Sequence, residues 1–179
     1  MELIPLDNDA LINLAAGWLG EQRNYQWLDF GAGAQAISPL LLKVMTQKDA
    51  HIIRAFTADD DGKPIGLAAL SNVNAGFKTA VLWIVLGDRS YSAKGYAHRA
   101  SAAMLTLGFT QYGLECINAW AVECNHASLR AIKRLHFRPI GRQRHCHYID
   151  GKPYDRLWFD LLASEHREEN DVFERAIAR

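Results

Sequence analysis

Along this chain the spacing of apolar residues alternates between the 3.6-residue period of helices and the short continuous runs of buried strands. Residues 3–6 read as a short strand. Asp7 and Asn8 can cap a helix whose apolar positions Leu11, Leu14, Ala15, Trp18 and Leu19 share one face, with Gly20 at its end. A second helix is expected over residues 38–45, with Pro39 in its first turn, where a missing N–H does no harm. From His51 the pattern turns to strands over residues 52–58, 65–70 and 80–86, separated by an Asp60-Asp61-Gly62-Lys63 turn and a loop over residues 72–78. That is an antiparallel meander. A helix follows over residues 95–112, with Ala97, Ala100, Met104 and Leu107 on one face and Gly113 as its capping glycine. The chain then predicts a strand (116–122), a helix (127–135) and two strands (139–149 and 154–161) joined by an Asp150-Gly151-Lys152 turn.

The order of elements is that of an α/β (α+β) protein. No internal repeat, low-complexity linker or shift in composition divides it, so one domain is expected over residues 1–163. Residues 164–179 are highly charged, with only Val172, Phe173 and Ile177 as large apolar groups, and read as a surface helix or frayed tail.

Composition narrows the partners. With 179 residues, 49% hydrophobic, the chain can bury one sizeable core. Twenty basic residues balance twenty acidic ones, so no broad field is available to gather nucleic acid or anionic lipid. Cys116, Cys124 and Cys146 are odd in number and lack CxxC spacing, which argues against a disulfide framework and a zinc site and for a reducing cytoplasm. The sequence opens Met1-Glu2-Leu3-Ile4-Pro5 without a basic leader, and its longest apolar run, residues 80–86, is too short to span a bilayer. No membrane partner is expected.

The candidate chemistry lies in residues 82–97, an apolar strand, a polar loop and a helix that opens at Gly95. The first amides of a helix lack intrahelical partners and carry partial positive charge, so a pyrophosphate can be held there by backbone alone. Gly95 lets phosphates approach, Lys94 adds a charge and Ala97 keeps the next turn slim. Arg130 and Lys133 could add to phosphate binding or be merely solvated, while Tyr91 and Tyr96 read as packing residues. A second constellation follows: Glu123, Asn125 and Ser128 opening a helix that ends Leu135-His136-Phe137, with Gly141 beyond.

With these two segments together the chain resembles the GCN5-related N-acetyltransferases (GNAT), in particular the branch of the ribosomal-protein serine and alanine N-acetyltransferases and related small-molecule acetyltransferases. The resemblance spans residues 65–162. The family's Gln/Arg-x-x-Gly-x-Gly/Ala loop is matched by Ser92-Ala93-Lys94-Gly95-Tyr96-Ala97, with serine at the first position. Its Asn-x-x-Ser helix ending in Leu-Gly-Phe is matched at Asn125, Ser128, Leu135 and Phe137, with His136 for the glycine. The Asp150-Gly151 hairpin and the strand after Asp155 also follow the branch.

The resemblance implies a mixed, mostly antiparallel sheet of about seven strands, flanked by helices, with a central parallel pair that splays apart. Acetyl-CoA would be co-substrate, with no metal. Its pantetheine arm would lie in the splay against backbone near Val85 and Gly87, its pyrophosphate at the loop of Ser92, Lys94, Gly95, Tyr96 and Ala97, with Asn125 and Arg130 as further cofactor-binding residues. A neutral amine would attack the thioester directly. Asn125 and Ser128 are the candidates for protonating the leaving thiolate, since Ile132 stands where other branches carry tyrosine, and Ser128 is preferred. Glu123 is the expected base, with His145 and His147 as rivals on one strand face, and positioning without a dedicated base as the remaining option. The acceptor would be a protein N-terminus, an amino sugar or a small amine, and the protein a monomer or homodimer.

Other readings carry less. The seven histidines suggest metal, but His145 and His147 would share a strand face from which Cys146 points away. The five tryptophans suit a core, although Trp27, with Tyr25 and Phe30, could line an acceptor pocket. Trp27-Leu28-Asp29-Phe30-Gly31-Ala32-Gly33-Ala34-Gln35-Ala36 resembles the glycine-rich first loop of S-adenosylmethionine-dependent methyltransferases, yet a meander follows where a doubly wound fold needs alternating strands and helices. A GNAT-fold module binding acyl-CoA without catalysis is a third class.

Overall fold

The computed structural model describes residues 1–30 and 37–167. The glycine-rich segment 31–36 and residues 168–179, on which the methyltransferase-like loop and most of the charged tail fall, lie outside the described residues.

The elements follow as β1 (Leu3–Pro5), α1 (Asp9–Leu19), α2 (Gln22–Tyr25), α3 (Pro39–Thr46), β2 (His51–Thr57), β3 (Pro64–Asn74), β4 (Thr79–Leu86), α4 (Tyr96–Thr110), β5 (Cys116–Val122), α5 (His126–Arg134), β6 (Arg138–Ile149) and β7 (Lys152–Leu162). Local chemistry explains many boundaries. The Asn8 carboxamide oxygen accepts from the Leu11 amide at 2.9 Å, and the Ser38 hydroxyl accepts from Leu41 at 3.2 Å with Pro39 next to it. Asp150 and Gly151 both take positive φ, 50° and 74°, as a two-residue hairpin turn requires. Four-residue α2 had no readable period, and β3 extends to Asn74, beyond the expected 70.

The strands form one seven-stranded sheet in the order β1-β2-β3-β4-β5-β7-β6. Every neighbouring pair is antiparallel except β4 and β5. That arrangement excludes the doubly wound sheet of the methyltransferase reading. One face carries α1 and α3 over Ala55, Leu67, Ala69 and Val85; the other carries α4 and α5 over Ala68, Leu70, Ala80, Ala119 and Ala121. On α4 the buried stripe is Tyr96, Ala100, Ser101, Met104, Leu105 and Gly108. Ala97 and Leu107 sit at its half-buried margins rather than in its centre.

The decisive feature is the parallel pair. β4 and β5 are in register only at Thr79 with Cys116, Ala80 with Ile117 and Val81 with Asn118. Beyond that row β4 stays paired to β3 as far as Leu86 opposite Gly66, while β5 stays paired to β7 as far as Val122 opposite Arg156. Each strand follows its antiparallel partner, and a gap opens between them.

Candidate active site

Which backbone groups face that gap follows from strand alternation. The Gly87 amide donates to the Ile65 carbonyl at 2.9 Å, so Gly87 faces β3. Backbone groups alternate sides along a strand, so Val85 faces β3 as well and those of Ile84 and Leu86 face the gap. This corrects the expectation that Val85 and Gly87 would present hydrogen bonds to a pantetheine arm. Glycine stands at 87 for a packing reason: a Cβ there would lie 2.1 Å from the Trp18 ring.

Opposite this edge, Asn125 caps α5. Its side-chain oxygen accepts from the Ser128 amide at 3.1 Å, which is the physical content of the Asn-x-x-Ser spacing: a cap and its first-turn partner. α5 ends in a Schellman motif, with Phe137 donating to Ile132 at 3.3 Å and His136 to Lys133 at 3.1 Å. His136 takes φ 64°, the left-handed conformation for which the family uses glycine.

A cavity of about 610 Å³ passes through the gap from one face of the sheet to the other. Ile84, Leu86, Asn125, Ser128 and Ile132 line it on the α4 and α5 side, and Trp27, Asp29, Phe30, Trp83 and Trp120 on the α1 to α3 side. Where β4 ends, Asp88 accepts from the Ser90 amide and hydroxyl at 3.0 and 2.7 Å and pairs with Lys63 at 2.8 Å. The Lys63 ammonium is the main reason its carboxyl is held down to about 2. This braced turn leads to Gly95, whose φ of 84° is open to glycine and strained for other residues.

Comparison with known proteins decides the family. The model of the acetyltransferase (GNAT) domain matches residues 2–138. The chain belongs to the GNAT acetyltransferase family. No curated protein sequence matches it. Among solved structures, the fold is similar to spermidine N-acetyltransferase from Vibrio cholerae in complex with CoA and spermine, at TM-score 0.79 and 18% identity over 92% of this chain and 96% of that one. It is also similar to ribosomal-protein-S5-alanine acetyltransferase from Vibrio fischeri, at TM-score 0.72 and 20% identity over 93% of each chain. The chain is thus an acyltransferase whose chemistry is acetyl transfer, in a family that uses acetyl-CoA.

Within the GNAT domain the expected site residues separate into two groups. Val85, Asn125 and Ser128 line the cavity. Ser92, Lys94 and Gly95 lie exposed in the loop before α4, with the Lys94 ammonium 4.9 Å from the centre of the Tyr91 ring. Tyr96 is buried, stacks edge-on against Tyr91 at 5.5 Å and accepts from the Asp59 amide at 3.2 Å, which makes it a packing residue. Arg130 is exposed on α5 and lies outside the cavity wall.

The expected bases are engaged elsewhere. Glu123 accepts from the Asp155 amide at 3.1 Å and pairs with Arg142 at 3.6 Å, bracing β5 against β7 outside the cavity lining. His145 and His147 do not share a face. A register shift between Gln143 and His147 and a φ of 51° at His145 break the alternation, leaving His145 exposed and His147 only 6% exposed. The His147 Nε2 meets the Gln26 carbonyl at 2.7 Å, and its Nδ1 receives Arg156 Nε and a second guanidinium nitrogen at 3.2 and 3.1 Å. That fixes a neutral ring with hydrogen on Nε2, and burial depresses its pKa. Neither nitrogen is left to take a proton from substrate. Among the described residues no group of three or more His, Cys, Asp or Glu is placed to hold a metal, and no helix is long and apolar enough to cross a membrane.

Several residues in the cavity wall or behind it escaped sequence reasoning. Arg156 stacks on Trp120 at 4.1 Å and pairs with Asp29 at 2.6 Å, joining β5, β7 and the segment after α2. Arg89 lines the cavity beside the phosphate-loop candidate, and Lys48 and His51 line its far end. Trp120 alternates with buried Ala119 and Ala121, which could have signalled that it faces the opposite side of the sheet. Nothing in the sequence pairs Arg156 with Asp29.

Proposed function

We propose that this GNAT enzyme transfers the acetyl group of acetyl-CoA to a primary amine by direct attack. The observation that carries the reading is a cavity crossing the sheet between the unpaired backbone edge of β4 and the first turn of α5, with Ser128 on its wall. The pantetheine arm would take the place of the missing strand pairing, accepting from and donating to Ile84 and Leu86. An amide there would hold the thioester oxygen as negative charge develops on it. The phosphates would sit at the opening of α4, met by the amides after Gly95 and by Lys94, with Arg89 as an added cation; Arg130 has a smaller part because it is outside the cavity lining.

In the reaction the amine lone pair forms the new C–N bond, the C–S bond breaks, and the sulfur takes its proton from the Ser128 hydroxyl. The proton shed by the nitrogen passes through water and restores the serine, so the products are an amide and free CoA. The positive end of α5, capped by Asn125, stabilises the departing thiolate. No dedicated base is assigned: Glu123 and His147 are occupied, and Asp29 is paired with Arg156. Positioning supplies the remainder. The three free cysteines suit a reducing cytoplasm.

Titrating the purified protein with acetyl-CoA, CoA and S-adenosylmethionine while following its melting temperature tests this reading, because a ligand of the native state must raise stability. Acetyl-CoA is expected to stabilise, and an amine then to release thiol. Stabilisation by S-adenosylmethionine alone would sink the assignment.

A further inference from the structure

His147 stands outside the cavity lining, against the wall on the α1 to α3 side. A bulge in β6 brings it there. Gln143 lies opposite Arg156 and His147 opposite Tyr154, so four positions along β6 answer to two along β7. Continued without the shift, the register would set His145 opposite Tyr154 instead. Asp155 braces the bulge: its buried carboxylate accepts from the His145 amide at 2.9 Å and pairs with Arg142 at 3.2 Å.

Both ring nitrogens have partners that a lining residue depends on. Nε2–H donates to the Gln26 carbonyl at 2.7 Å, and Gln26 precedes Trp27, which lines the cavity. Nδ1 accepts from Arg156 Nε and Nη2 at 3.2 and 3.1 Å. Two charged groups act on the ring, Arg156 from β7 and Asp29 from the segment after α2, while β5 contributes the uncharged Trp120. A guanidinium carries its donors in a fixed planar fork, so its acceptors set its plane. With Nε and Nη2 turned to the imidazole and Nη1 to Asp29 at 2.6 Å, the plane lies over Trp120 at 4.1 Å. The Arg156 side chain is only 12% exposed, so water cannot readily replace an acceptor that is lost. Asp29 and Trp120 both line the cavity.

The geometry points to His147 as a positioning residue of the acceptor half: as a neutral ring with hydrogen on Nε2, it clamps the segment after α2 to β7 and orients Arg156, and through Arg156 it sets Asp29 and Trp120. It touches no reacting atom itself. This assignment rests on the acetyl-transfer reading.

The test compares the wild type with His147→Leu, which keeps bulk but neither hydrogen bond, and His147→Gln, whose carboxamide keeps a donor and an acceptor. Thiol release from acetyl-CoA is followed with spermidine, glucosamine and an alanyl peptide. For an amine that reacts, His147→Leu should raise the acceptor KM about tenfold, with kcat and the acetyl-CoA KM within about twofold of wild type, and His147→Gln should restore most of the loss. A second readout needs no acceptor. Hydrogen exchange over residues 22–30 should quicken about tenfold in the leucine variant, recover in the glutamine variant and stay unchanged over residues 89–97 in both. His147→Asn, too short to reach both partners, replaces the leucine variant should that one not fold. An acceptor KM that does not move, a glutamine variant no better than the leucine one, or unchanged exchange over residues 22–30 would each overturn the proposal. If none of the three amines releases thiol, that result counts against the acetyl-transfer reading, and the exchange measurement still decides the role of His147.

Discussion

The two faces of the sheet differ in how they make their half of the site. On the α4 and α5 face the expected contacts are largely backbone: the unpaired edge of β4, the opening of α4 at Gly95 and the capped first turn of α5. On the α1 to α3 face they are side chains drawn from separate elements, with Asp29, Trp120, His147 and Arg156 tied into one network. A backbone site tolerates substitution, which is why Ser92 and His136 can depart from the family pattern without altering the loop or the helix end. A side-chain site changes with each substitution, and the acceptor half is where members of one fold can differ.

Substitutions should separate the halves. The largest effect is expected from Ser128→Ala, which removes the only hydroxyl placed on the first turn of α5 and should lower kcat by about 10²- to 10³-fold with CoA affinity unchanged; an unchanged kcat would show that the thiolate leaves without it. Arg156→Ala should raise the acceptor KM and lower stability by about 2 kcal/mol, since Asp29 loses its partner and Trp120 its stacked cation. A shifted CoA affinity with an unaltered acceptor KM would break the division of labour between the faces. Gly87→Ala should cost about 2 kcal/mol, read from the melting temperature, because the added carbon meets a tryptophan ring held between α1 and β4.

A smaller effect concerns pH. His147 has a depressed pKa in the folded state, so the unfolded chain binds the proton more readily; its contribution to stability is complete above about 6.5 and is lost as pH falls through the folded value. His147→Gln should flatten the decline in melting temperature below that pH, and a decline of the same steepness would place its origin elsewhere. Last, His136→Gly should stabilise the protein by up to about 1 kcal/mol by relieving left-handed strain in the turn after α5, with kcat unaffected.

Much of the fold could be read in advance because its signals are local. Asn8, Ser38 and Asn125 cap helices through contacts three residues away, and Asp150-Gly151 turns a hairpin through its own dihedral angles. Strand boundaries were likewise near the observed ones wherever apolar runs were continuous. The faults arose where neighbours in space override alternation: the shift in β6 separates His145 from His147, and the pairing of β3 with β4 decides which amides face the gap. Glu123 stood at the right end of β5, yet Arg142 and the Asp155 amide, both from later strands, claim it.

By itself, then, the sequence determined the order of elements, their caps and turns, the strand, loop and helix suited to a phosphate, and the serine one turn into α5. These depend on residues within a few positions of one another, where backbone geometry leaves few choices. Only the tertiary structure decided that the cavity runs through the sheet, that Ile84 and Leu86 rather than Val85 and Gly87 edge the gap, and that Arg156 of β7 meets Asp29 from the segment after α2. Those relations join residues dozens of positions apart, and the packing of strands and helices into one sheet is what brings them within reach.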